Sequence, residues 1–227
     1  MIELREVVKI YRKPNQGEVR AIDHVSLEIQ KGEFVAVLGP SGSGKSTLMN
    51  VMGLLDRPDS GEYRLNGTPV SGLGENELAH LRNEVIGFVF QAYHLLPRTT
   101  AIENVQLPLL YANTKDYVQR SKAALEAVGL ADRLNHFTSE LSGGQQQRVA
   151  IARAIVNKPS ILLADEPTGN LDPVSSREIM DLFEEQTRRG TTVVLITHDQ
   201  AVADRARRVI RIGSGAIQSD TRVEAAA

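Results

Sequence analysis

Gly39-Pro40-Ser41-Gly42-Ser43-Gly44-Lys45-Ser46-Thr47 constrains this chain more than any other stretch. It fits G-x-x-x-x-G-K-[ST] and lies between the apolar run Phe34–Leu38 and an apolar helical pattern with Leu48, Val51, Met52 and Leu55. Strand, glycine-rich loop and helix in that order form a cradle for a polyphosphate. Glycines let the backbone curl so that its N–H groups face the anion. The helix start adds unpaired N–H groups and the positive end of the dipole. Lys45 brings a full charge to the β and γ phosphates, and the Ser46 hydroxyl can ligate Mg²⁺. A capping loop of Gly and Ser is the plainer reading, but the motif and its strand–helix context agree on the cradle.

Other apolar runs fit the same architecture. Phe34–Leu38, Val85–Phe90, Ile161–Ala164 and Val193–Ile196 read as buried parallel strands, each ending in polar or glycine-rich chemistry. Ligands of open α/β sheets bind at the carboxyl ends of such strands. Ile2–Tyr11 and Ala21–Ile29 alternate instead, as antiparallel strands with one wet face do, and Gly61–Asn66 before Gly67 reads as strand and turn. Helical spacing dominates between Ala101 and Asn157. There Ala123, Ala124, Ala127 and Val128 mark one face of a helix closed by Gly129. Asp172-Pro173 starts a further helix, and Gly190 ends it. The expected fold is a P-loop NTPase (RecA-like) α/β core over about 1–91 and 158–227, with an antiparallel β part and a helical insertion over about 92–157. The tail Val223–Ala227 is expected to fray.

The second half of a nucleotide site follows Ile161–Ala164. An acidic pair closing an apolar strand needs a cation or a partner. Asp165 can hold Mg²⁺ through water, and Glu166 can accept a proton from the attacking water or orient it. His198, after Val193–Ile196 and Thr197, can bond the γ-phosphate. Gln91, after Phe90, can reach Mg²⁺ or the water. Each also has an ordinary structural reading, as a strand-end turn or a lone polar residue.

Leu141-Ser142-Gly143-Gly144-Gln145 discriminates among P-loop proteins. Ser142 and Gln145 have capping-box spacing ahead of a helix through Val149, Ala150, Ala152 and Ile155. Capping does not explain two consecutive glycines in a first turn. Close approach of an anion to the exposed N–H groups would.

Together with Gly39–Thr47, Gln91, Asp165-Glu166 and His198, in that order, this motif makes the chain resemble the ABC ATPases, from about Tyr11 to Ile217. The resemblance implies head-to-tail homodimers around two ATP. Ser142, Gly143, Gly144 and Gln145 of one subunit would complete the site of the other. It also implies an adenine-stacking role for Tyr11 and a place for Asp172 in a loop between the two sites. Ile86–Gln91, His94-Leu95-Leu96-Pro97, Glu103-Asn104-Val105 and Asp165–Asp172 look like the MacB and LolD group. That narrower likeness implies a peripheral ATPase on the cytoplasmic face of the inner (plasma) membrane. It would drive integral-membrane permeases of the MacB, LolC, LolE or FtsX type, with room for a periplasmic or extracellular adaptor. Cargo would be lipoproteins, peptides or amphipathic drugs. MacB carries its permease on the same chain, so this sequence is expected to be a separate subunit or a cut piece. Where the family has a tight Asp-Gly turn, Arg211–Ile217 is looser, which leaves only the C-terminal hairpin open.

Composition weighs against other classes. The 227 residues carry 26 Lys plus Arg, 28 Asp plus Glu and no Cys, a formal charge of −2. That balance gives no broad attraction to nucleic acid, and disulfides and thiolate metal sites are excluded. No apolar run approaches the ~20 residues that span a bilayer, and Met1–Glu6 lacks the basic-then-apolar pattern of a secretory signal. A soluble ABC ATPase acting on DNA or ribosomes is the alternative, without the coiled-coil or tandem domain usual there. A small-molecule kinase would leave Leu141–Gln145 and His198 without work.

Overall fold

The structure, a computed structural model, describes residues 1–13, 17–112 and 114–222. The tail Val223–Ala227 lies outside them. In chain order the elements are β1 (Ile2–Lys13), β2 (Gly17–Ile29), β3 (Phe34–Leu38), α1 (Lys45–Met52), β4 (Ser60–Leu65) and β5 (Thr68–Pro69). Next come α2 (Glu75–Val85), β6 (Ile86–Phe90), α3 (Ala101–Tyr111), α4 (Tyr117–Ala127), α5 (Gly143–Ile155) and β7 (Ile161–Asp165). The chain continues with α6 (Pro173–Arg188), β8 (Thr192–Thr197), α7 (Gln200–Ala203), β9 (Arg208–Gly213) and β10 (Ala216–Arg222). Two compact units result: residues 1–79 with 192–227, and residues 80–191. No helix among the described residues is long and apolar enough to cross a membrane.

In the first unit, β1 pairs antiparallel with β2 and β4. Ile2 and Leu4 point inward, and the alternation breaks where the β1–β2 register shifts between Leu4 and Val7. Glu6 there adopts φ 49°. Gly61 on β4 lies so close that a Cβ would meet the Glu6 carbonyl oxygen at 2.4 Å, so only glycine fits. The second sheet portion has β3 parallel to both β8 and β9, with β10 antiparallel to β9. Every residue of β3 and β8 is buried, as strands covered on both faces require. The C-terminal hairpin forms after all. Gly213 pairs with Ala216 across Ser214 (φ 50°) and Gly215 (φ 79°), a two-residue left-handed turn that suits strand twist as well as Asp-Gly does.

In the second unit, β6 and β7 are parallel. Val85 ends α2 rather than opening the strand, and Leu55 falls beyond α1, where it is exposed. The apolar face of α4 is also rotated from the expected one. Ser121, Ala124, Leu125 and Val128 are buried, while Ala123 and Ala127 face out. Alanine is small enough for either side, and Leu125 decides the phase. Gly129 (φ 76°) closes α4 in a Schellman motif, with Gly129 N bonded to Glu126 O and Leu130 N to Leu125 O, both at 2.9 Å. Gly190 repeats the motif after α6.

Candidate nucleotide site

The loop after β3 is shaped by its glycines. Gly42 and Gly44 have φ 76° and 103°, and a Cβ on Gly44 would sit 2.4 Å from the Ala21 carbonyl oxygen. Gly44 caps α1 without any side-chain hydrogen bond, and no acidic residue occupies the first turn. The N–H groups there keep their positive potential for an external anion. Lys45 is 8% exposed, and its ammonium donates to the carbonyls of Gly39 (2.7 Å) and Pro40 (2.9 Å). Among the described residues of its own unit no carboxylate pairs with it; its two described partners are both carbonyls. A buried cation offered only neutral acceptors is built to receive an anion. The buried Ser43 hydroxyl has no hydrogen-bond partner among the described residues and can serve the same anion. Ser41 and Ser46 are exposed and Thr47 half-buried.

Parallel register sets the companions of this loop. Leu38 is opposite Thr197, so Gly39 and His198 leave β3 and β8 at the same edge. His198 is exposed and precedes Asp199, the N-cap of α7. Tyr11 is half-buried on β1. Its hydroxyl donates to Asp56 (2.8 Å). Burial first, and then Asp56, raise the phenol above its ordinary pKa. Lys9 meets Asp56 at 2.6 Å and lies 5.4 Å from the Tyr11 ring centroid. Burial works to raise the Asp56 carboxyl, but hydrogen bonds from Lys9 and Tyr11 hold it below its usual range. Sequence reading missed Lys9 and Asp56, which lie 47 residues apart and belong to no motif.

In the second unit Phe90 is opposite Asp165, so Gln91 and Glu166 follow paired residues. Gln91 Nε2 donates to Asn170 Oδ1, and Asn170 Nδ2 donates to the Gln91 carbonyl, both at 3.2 Å. A Cβ on Gly169 would come 2.7 Å from Gln91 Nε2, so a larger residue there would displace the Gln91 amide. Glu166 adopts φ 46°, a strained conformation for an L-residue. Asp172 caps α6, accepting from Val174 N (2.9 Å) and Ser175 N (3.0 Å). The Ser175 hydroxyl and then the Ser175 amide lower its carboxyl pKa.

The capping box of Ser142 and Gln145 forms on α5. The two glycines gain a further reason from packing. A Cβ on Gly143 would lie 2.9 Å from the Tyr93 hydroxyl, and one on Gly144 2.8 Å from Ser175 Oγ. Two residues beyond sequence reading hold this region. Arg153 donates from α5 to the carbonyls of Tyr93 (2.8 Å) and His94 (2.5 Å). Gln147 donates to the Pro167 carbonyl (2.7 Å). Neither belongs to a motif that the sequence spacing singles out.

Comparison with known proteins then settles the kinship. The family described as "ABC transporter" matches residues 22–169. The chain belongs to the ABC transporter family. It is an ATPase cassette of that family, with the mixed α/β fold of its solved members. The cassette MJ0796, solved as a dimer in a post-hydrolysis state with ADP and Pi, superposes with a TM-score of 0.91 at 40% identity, covering 100% of both chains. The ABC transporter ATP-binding protein YvrO of Bacillus subtilis is 51% identical over 224 residues, 98% of this chain and 97% of that protein. The macrolide export ATP-binding/permease protein MacB of Bdellovibrio bacteriovorus is 48% identical over 225 residues, 99% of this chain. The chain spans only 34% of that protein's length.

Proposed function

We propose that this ABC cassette powers a MacB-like membrane permease, closing as a homodimer around two ATP on the cytoplasmic face of the membrane. The buried Lys45 ammonium under a left-handed glycine loop carries the nucleotide part of this reading. The likeness to MacB and to a dimeric cassette supports the rest. In this reading Gly39–Thr47 wrap the phosphates, Tyr11 stacks on adenine, Glu166 is the general base, and Gln91 and His198 orient the water and γ-phosphate. Ser142, Gly143, Gly144 and Gln145 act across the dimer, with Asp172 between the two sites. Ser46, Gln91 and Asp165 would hold Mg²⁺, which neutralises phosphate charge when bound. No three His, Cys, Asp or Glu side chains cluster as a metal cage among the described residues. One carboxylate plus phosphate oxygens is the donor set that suits Mg²⁺. Cargo would be lipoproteins, peptides or amphipathic drugs moved outward, with a periplasmic or extracellular adaptor as a further partner.

The permease is proposed to dock after Gln91, on the helical part over about 92–157. Leu96 is 46% exposed there, and Pro97, Arg98, Phe137, Thr138, Ser139 and Gln146 line a groove. The nucleotide reading is tested by Lys45→Met, measuring ATP affinity by calorimetry and melting temperature in parallel. Affinity should fall about a hundredfold or more, as for loss of a charge-assisted contact to phosphate, with the melting temperature little changed. Unaltered affinity would remove Lys45 from the site.

A further inference from the structure

We infer that Gln147 is a positioning residue for Glu166, acting through the Pro167 carbonyl. The inference rests on the reading of Glu166 as the general base.

Gln147 lies on α5, five residues after Ser142, and is fully buried. Its Nε2 donates to the Pro167 carbonyl at 2.7 Å. Its Oε1 has no hydrogen-bond partner among the described residues. A buried amide with an unmet acceptor is worse for folding than an apolar side chain of the same size. What the position gains from glutamine is therefore the one donor bond, and that bond ends on the residue after Glu166.

Glu166 is the residue that needs holding. Its φ of 46° is unfavourable for an L-residue, and a following proline restricts it further. Such strain persists only when the surroundings over-determine it. The constraints on it in this unit include three that bear on its backbone. Asp165 is fixed in β7 opposite Phe90. Gly169 N closes a turn on the Glu166 carbonyl at 3.0 Å. Gln147 holds the next carbonyl from α5. The first two are local to the strand and its turn. Of the three, Gln147 is the one that ties the segment to the helix that begins with Ser142-Gly143-Gly144. Without that bond the Pro167–Thr168 peptide loses its anchor on α5, the turn that holds Glu166 at φ 46° can relax, and the carboxylate shifts from its working position. A misplacement of about 1 Å is enough to slow an oriented reaction by orders of magnitude.

The test compares the full chain with Gln147→Met, Glu166→Gln and the double variant. Methionine keeps the length and removes both the donor and the orphaned oxygen. Gln147→Met should lower kcat roughly tenfold to a hundredfold, with KM for ATP unchanged and the melting temperature unchanged or higher. The double variant should turn over no more slowly than Glu166→Gln alone, because Gln147 acts only through that carboxylate. Wild-type kcat in Gln147→Met overturns the inference, as does a multiplicative loss in the double variant. Gln147→Leu is a second variant. If both apolar variants lose cooperative unfolding, Gln147 is a fold residue and the inference is overturned. Wild-type turnover in Glu166→Gln instead sinks the base assignment, and the inference with it. A dead Glu166→Gln beside a fully active Gln147→Met sinks the inference alone.

Discussion

Replacing Arg153 by methionine should loosen the segment after Gln91 without unfolding the chain. The guanidinium leaves α5 and donates to two successive carbonyls, Tyr93 at 2.8 Å and His94 at 2.5 Å. Both residues are left-handed, with φ 59° and 49°, so the bonds hold a backbone that would otherwise relax. Burial lowers the Arg153 pKa from its ordinary value, and a guanidinium in a protein keeps its charge. A hydrogen bond to a charged group contributes about 1.5–3 kcal/mol. The His94 carbonyl end is open to water, which replaces part of its bond, and relief of backbone strain offsets more. Methionine retains the aliphatic length, so no large cavity opens. The expected net loss is about 2 kcal/mol, read from the urea midpoint. Amide exchange at residues 92–96 should speed up, while exchange in β7 stays slow. A midpoint within about 0.5 kcal/mol of the parent, together with unchanged exchange at these amides, would refute the reasoning. The guanidinium would then not be holding this loop in solution.

Three further outcomes are expected. Ser142→Arg should abolish hydrolysis while the monomer keeps near-normal ATP affinity by calorimetry, since the proposed contact is across the dimer; loss of affinity would make the motif structural. Leu96→Asp should leave the isolated chain folded and basally active but weaken co-purification with its permease, as a charge forced into an apolar contact costs several kcal/mol; normal transport would place docking elsewhere. Acid titration should reveal the Asp220–Arg208 pair. The Arg208 hydrogen bonds hold the Asp220 carboxyl below its ordinary pKa. A depressed carboxyl adds stability that is fully present above its unfolded pKa and lost as pH falls through the folded value. Asp220→Asn should therefore flatten the fall in melting temperature below about pH 4, and an unchanged slope would deny the pair its role.

Much of this protein is determined by local sequence. Gly39–Thr47 dictate a strand–loop–helix cradle because only glycine tolerates φ 76° and 103° at Gly42 and Gly44, and because a helix start exposes donors. Ser142 and Gln145, or Asp172 and Pro173, define helix starts through bonds within three residues, so spacing alone reveals them. The unbroken apolar runs of β3 and β8 announce buried parallel strands for the same reason of short range. Where neighbours along the chain do not decide, sequence is silent or misleading. The two alanines at 123 and 127 fit either side of α4, and only Leu125 seated in the core sets the face. Asp56 joins Lys9 across 47 residues and Tyr11 across 45 residues, distances no motif encodes. Arg153 reaches back 60 residues to Tyr93, and Gln147 forward 20 to Pro167. Those partners are chosen by how strands and helices pack, and side-chain type gives no hint of which distant carbonyl a buried donor will meet.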